Sequence, residues 1–326
     1  MAEVTTRPGE VTEGLIAALE GEGLHIADSA FSLDPSKARE KLQAFQLEDP
    51  HAYVLLLVEA ANIAGDNSID FSCGRTTQAT FEGVSLSRSE LENVFNAVFG
   101  DARIAGLDGQ DGAESPERTR ARLQRHLGIA ANAALALAPA SIEIENVDAE
   151  GVLNRLTILP GGEVHCEPDG GGPPARTRFV FNGQREDFRD DHEVALLQER
   201  CKLTEMVVSL YGRQISGGSR AALLNLRTRR IKLGERTIGR AGLPLDWLSM
   251  SRGGELNLLT RGVLSETIQL EHAAGGFQAI VDTDLRKDLS QSAVIRDEDF
   301  DAVIDVVEAC HARLTNQPRR ALFDRS

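Results

Sequence analysis

Three side chains on one short segment have types that suit hydrolytic or metal-assisted chemistry. In LVEAANIAGDNSIDF, residues 57–71, a carboxylate (Glu59), a carboxamide (Asn62) and a second carboxylate (Asp66) follow one another at spacings of three and four. A carboxylate can polarise a water, and oxygen donors one turn away can hold a hard divalent cation. On a mostly buried helix the same residues also form a polar stripe that bonds to a neighbouring sheet or loop. Arg227, Arg229, Arg230, Lys232, Arg236 and Arg240 make a basic patch over 227–240, suited to phosphate or nucleic acid or, more simply, a solvated strand face. His165-Cys166 and Cys310-His311 are isolated dipeptides and not a spaced ligand set, so no metal site is expected from them. No GxSxG elbow is present, and the glycine run Gly170–Gly172 leads into Pro173-Pro174 as a turn.

The elements that must carry these residues follow from local signals. Asp34-Pro35 predicts a helix over 35–45. Asp49-Pro50 starts a second one, apolar almost all round, which Gly65 ends. SIDFS and TTQATF, at 68–72 and 76–81, alternate as strands. Ser87 with Glu90 forms a capping box for a helix that presents Leu91, Val94, Phe95 and Val98. Residues 100–117 are rich in Gly and Asp and are expected to be a mobile loop. The basic run RTRARLQRH, with Arg118, Arg120, Arg122 and Arg125, then leads into a small-residue helix, LGIAANAALALA. Strands are predicted at 141–146, 153–159 and 177–181, with EPDGGGPPAR as a loop between the last two. A helix is predicted over 189–211. A boundary at 215–219 precedes short alternating segments, and a last helix covers about 297–314.

Composition bounds the classes. At 326 residues the chain is long enough for two domains. Its 41% apolar and 26% charged residues are those of a globular protein. The net charge of −15 disfavours nucleic acid as a partner. Aromatic residues make up only 5%, which leaves few platforms for stacking bases. No apolar run is long enough to cross a membrane, MAEVTTRPGE lacks the apolar core of a signal peptide, and four scattered cysteines suit a reducing compartment. A cytoplasmic location is the expectation.

The order of these segments resembles the GHKL ATPase superfamily, which includes gyrase and the 90-kDa heat-shock chaperones. AGDNSIDF looks like the end of its first motif. TTQATFEGVSLSRSELENVF, at 76–95, looks like the second, and HLGIAANAALALAPASIEIEN, at 126–146, is similar to the chaperones' third block. IVDTDLRKDLSQSAVIRDEDF, at 280–300, resembles a piece of their middle domain. The resemblance implies an α/β, two-layer α+β sandwich of the GHKL or Bergerat type followed by a smaller α/β domain. It divides the chain into an N-terminal extension (1–30), an ATPase-like domain (31–215) and a middle-domain-like module (216–326).

It also implies where nucleotide chemistry belongs. Gly83, Gly128 and Thr177 match cofactor-binding positions. The water-activating position falls on Leu56, the metal position on Ala60 and the adenine-reading position on Phe81, while Ser85 and Ala130 stand where the pattern has glycines or their successors. Leucine takes no proton and alanine offers a metal no oxygen. The expectation is therefore a degenerate ATP site with no catalytic residue, no metal and no cofactor, in a chaperone-like protein that binds or scaffolds another protein. The alternative keeps ATP and Mg²⁺, with Glu59 as base and Asn62 or Asp66 at the metal. A second alternative is phosphate or nucleic-acid binding through 227–240.

Overall fold

The computed structural model describes residues 49–99, 115–161, 163–171, 176–183, 191–244, 253–273, 275–288 and 293–316. The extension, the helix expected at 35–45 and most of the loop expected at 100–117 lie outside them. All the described residues fall within one compact unit, Phe45–Ser326.

Asp49 caps a short 3-10 turn, Pro50–Ala52, by accepting a hydrogen bond from the His51 N–H at 3.0 Å. Helix α1, Tyr53–Ile63, follows, and every residue in it but Asn62 is buried. It stops at a Schellman turn. Gly65, at φ +82°, donates to the Asn62 carbonyl, and the Asp66 N–H donates to that of Ala61. The chain then enters strand β1, Ser68–Ser72, and its antiparallel partner β2, Thr76–Glu82. The Ser87–Glu90 capping box is present and starts α2, Arg88–Glu92. The single helix expected there breaks into α2 and a second turn, α3, Asn96–Phe99.

Pro116–Leu135 forms helix α4, capped by Ser115. The basic run and the small-residue stretch are one continuous helix. Its small residues let α4 lie close to the segment before it. A Cβ on Gly128 would sit 2.3 Å from the Val94 carbonyl oxygen, so only glycine fits there without moving backbone.

Strands β3 (Ser141–Val147), β4 (Val152–Ile158), β5 (Val164–Gly171) and β6 (Arg176–Asn182) complete most of the first sheet. Strand β5 runs through part of the segment expected to be a loop. It is an edge strand, mostly exposed and carrying Pro168, so it lacks the alternation that marks a half-buried strand.

The helix expected over 189–211 is also corrected. Helix α5 spans Asp191–Arg200, and the chain then turns into strands β7 (Val207–Leu210) and β8 (Arg213–Gln214). The β-branched Val207 and Val208 pair in parallel with Ser68 and Ile69 of β1, and that tertiary pairing overrides a helix-like pattern. The finished sheet has the order β5-β4-β3-β6-β2-β1-β7-β8. Helices α1 and α4 share one apolar core with it, which includes Leu57, Ile69, Phe179 and Leu127.

The expected boundary at 215–219 is a turn into helix α6, Gly218–Ala222. Strands β9 (Leu226–Leu233), β10 (Arg236–Pro244), β11 (Gly254–Thr260), β12 (Val263–Leu270) and β13 (Gln278–Asp282) build a second sheet in the order β12-β11-β13-β10-β9. Helix α7, Glu298–Asn316, buries Phe300, Val303, Val307, Cys310 and Leu314 in that sheet's core, against Ile231, Ala241 and Val281. Two layers around each sheet, with the helices segregated to a face, make this a mixed α/β architecture.

Candidate functional site

The only charged side chain in α1 is Glu59, and it is 1% exposed. A carboxylate taken out of water needs compensating charge. Here the charge comes from far along the chain. The Lys287 ammonium, in the segment after β13, donates to Glu59 Oε1 across 228 positions. Arg261 Nη1 lies 3.7 Å from Glu59 Oε2, and His126 Nε2, on α4, lies 3.6 Å from it. Asp284 closes the cluster by pairing with both Arg122 of α4 and Arg261.

Arg261 reaches this position from the two-residue turn between β11 and β12. It sits at φ +51°, a left-handed conformation that Gly or Asn adopts more easily, with Gly262 at +85° beside it. The turn aims the guanidinium back from the second sheet toward α1 and α4.

The hydrogen bonds fix the form of His126. Its Nδ1 lies 3.0 Å from the Arg122 carbonyl oxygen, which can only accept, so Nδ1 carries the proton. Its Nε2 lies 3.1 Å from Arg261 Nη1, which can only donate, so Nε2 is the acceptor. That is a neutral imidazole. Burial lowers its pKa; Glu59 pulls it upward and Arg261 downward, and the net direction is down. His126 therefore bridges Arg261 to α4 and is not a charged partner of Glu59. Glu59 Oε2 has no hydrogen-bond partner among the described residues. Burial pushes the Glu59 pKa up, but the charges of Lys287 and Arg261 outweigh it and hold the group at about 2.

The other expected site residues stand apart from this cluster. Leu56, Ala60, Phe81 and Ala130 are buried in the apolar core of the first sheet. Gly83 lies against the end of α1, where a Cβ would come within 2.2 Å of the Ala64 carbonyl oxygen. Ser85 is half-buried. Thr177, on β6, is buried and accepts a 2.7 Å hydrogen bond from the Asn146 carboxamide, whose oxygen accepts from the Leu86 N–H at 2.8 Å. Asn146 thereby ties the segment after β2 to the centre of the sheet. Changing Thr177 to Val keeps the shape and leaves a buried N–H unpaired. The expected cost is about 2 kcal/mol, measured by urea unfolding.

Asn62 and Asp66 are not brought together with Glu59. Asn62 is exposed and faces a cavity described below. Asp66 organises the turn after α1, accepting from the Ser68 N–H and hydroxyl and, at 2.6 Å, from the Glu82 N–H. Among the described residues no group of three or more His, Cys, Asp and Glu is placed to hold a metal ion. No helix of the described residues is long and apolar enough to cross a membrane.

No family model matches the chain, and no curated protein matches it either. Among solved structures it is similar to the B-subunit of the DNA gyrase from Myxococcus xanthus. The match has a TM-score of 0.52 at 13% identity and covers 87% of this chain and 97% of that one. The fold is of the GHKL type. At that identity the likeness shows the fold alone, an α+β domain followed by a smaller one.

Sequence reasoning picked out Glu59 but missed its partners. His126 opens the block HLGIAANAALALAPASIEIEN, yet a lone histidine before an apolar stretch has no distinguishing pattern. Arg261, Asp284 and Lys287 belong to the second sheet's turn and exit, and an ion pair between segments so distant leaves no local spacing to detect.

Proposed function

We propose that this protein is a GHKL-fold module that does not hydrolyse ATP, and that it acts, in a chaperone-like way, by binding or scaffolding another protein. The observation that carries this is the surroundings of Glu59. The one carboxylate on α1 faces a lysine and an arginine from the second sheet, where a magnesium nucleotide would need exposed oxygens and a free carboxylate. Leu56, Ala60 and Phe81, at the base, metal and adenine positions, are core residues with no polar atoms to offer. The side chains present do not fit a magnesium nucleotide in the superfamily's register, so no chemical step is assigned to one.

On this reading the carboxylate has become part of the fold. It ties α1 and α4 to the second sheet through Lys287 and Arg261 and leaves the outer surfaces available for a partner. The test is phosphate release from Mg-ATP by the wild type and by Glu59→Gln. Neither is expected to release phosphate above the buffer rate. Turnover by the wild type that the substitution abolishes would overturn the proposal and restore Glu59 as a base.

A further inference from the structure

Positive charge gathers on the second sheet in a way that neither the apolar cores nor the Glu59 cluster uses. Strands β9 and β10 are antiparallel, and their register sets Arg230 directly opposite Arg240. Like charges facing each other across neighbouring strands repel and disfavour the pairing. Arg236, at the start of β10, and Arg220, on α6, add to the same neighbourhood. All four line one cavity of about 700 Å³, walled by Asn62 and Ile63 at the end of α1, by Leu203, and by Ile238 and Ile280 of the sheet. That volume is within the range of small-ligand sites.

Three carboxylates also border the cavity, and each is engaged elsewhere. Glu205 accepts from the Ser219 N–H at 3.0 Å and from its hydroxyl. Asp282 accepts from the Gly262 N–H at 3.1 Å. Asp284 holds Arg122 and Arg261. Among the described residues none of these carboxylates forms an ion pair with Arg220, Arg230, Arg236 or Arg240. Among the described residues, four guanidinium groups without an ion-pair partner therefore border one concavity, with Asp282 near enough for Arg236 to act on its charge, in a chain whose net charge is −15.

We propose that this cavity binds a small soluble anion bearing at least two phosphate groups. Guanidinium forks match phosphate oxygens two at a time, and two opposed arginines whose mutual repulsion a bound anion would relieve call for more than one charged group. The lining contains no aromatic side chain, so nothing there would stack a base. The acidic remainder of the protein opposes a long polyanion such as duplex nucleic acid, whereas a compact ligand meets only the local field. The inference rests on the arginines alone and goes beyond the proposal for Glu59.

The test is calorimetric titration of the full chain with inorganic tripolyphosphate, without magnesium and at low ionic strength. Saturable one-to-one binding in the micromolar range is expected. It should weaken at least tenfold in the double variant Arg230→Gln, Arg240→Gln, whose thermal midpoint should equal or exceed that of the wild type because a repulsion has been removed. The probe has neither base nor sugar, so its outcome is separate from that of ATP hydrolysis. Absence of saturable binding at millimolar tripolyphosphate would overturn the proposal. So would binding that the double variant leaves unchanged, or arginine-dependent binding of duplex DNA in place of tripolyphosphate.

Discussion

Replacing Lys287 by Met is expected to lower the protein's stability by about 3 kcal/mol, which makes it one of the most damaging single substitutions the chain can carry outside its apolar cores. The reason is an asymmetry in buried charge. A buried ion pair adds little over a well-packed apolar pair, but removing one partner strands the other charge in a medium that cannot solvate it. Glu59 would keep Arg261 at 3.7 Å and neutral His126 at 3.6 Å, neither close enough to replace the ammonium on Oε1. The methionine stem occupies nearly the volume of the lysine stem, so the loss is electrostatic in origin and not a cavity. Equilibrium unfolding in urea at neutral pH measures it. A loss below 1 kcal/mol would mean that Glu59 finds its compensation elsewhere.

The second large effect is acid lability over a defined window. The folded-state pKa of Glu59 is depressed from 4.5 to about 2. In a group of this kind the stabilisation is present above the unfolded pKa and disappears as pH falls from 4.5 toward 2, because the unfolded chain takes up its proton first. The interval corresponds to a contribution on the order of 3 kcal/mol. It is the same interaction that Lys287→Met removes, seen through its proton linkage, so the two figures are not summed.

Two histidines set the neighbouring range, with opposite signs. The pKa of His126 is lowered from 6.5, first by burial, so its contribution is present above that value and lost as pH falls below it. The pKa of His51 is raised from 6.5, chiefly by its 2.7 Å hydrogen bond to buried Glu193, so its contribution is present below 6.5 and lost as pH rises through the folded value. They oppose each other near neutrality. The check is the stability difference between wild type and Glu59→Gln as a function of pH. It should shrink between 4.5 and 2; a difference that stays constant or grows would show that the folded carboxylate is not held in its charged form.

Legibility in the sequence follows the range of each interaction. Asp49-Pro50, the Gly65 turn and the Ser87–Glu90 box are satisfied within a few residues of one another, and the structure places each where those residues dictate. The burial of α1 follows from its having almost no polar face. What could not be read depends on distant partners. Val207 and Val208 leave the expected helix because β1 offers an unpaired edge about 140 positions upstream. Strand β5 exists because β4 pairs with it, although its own residues carry turn signals. Lys287 matters because the end of β13 brings it against α1. The Arg230–Arg240 juxtaposition is set by the β9–β10 register, which no count of basic residues over 227–240 reveals.

Glu59 and Lys287 act as one unit that joins α1 to the second sheet. A double-mutant cycle of Glu59→Gln and Lys287→Met, followed by urea unfolding at neutral pH, measures that directly. The double variant should be more stable than the sum of the single losses by about 2 kcal/mol or more, since each single change strands one buried charge of the pair and the double change strands neither. Losses that add, with a coupling below about 0.5 kcal/mol, would contradict it and show that the carboxylate and the ammonium serve separate ends.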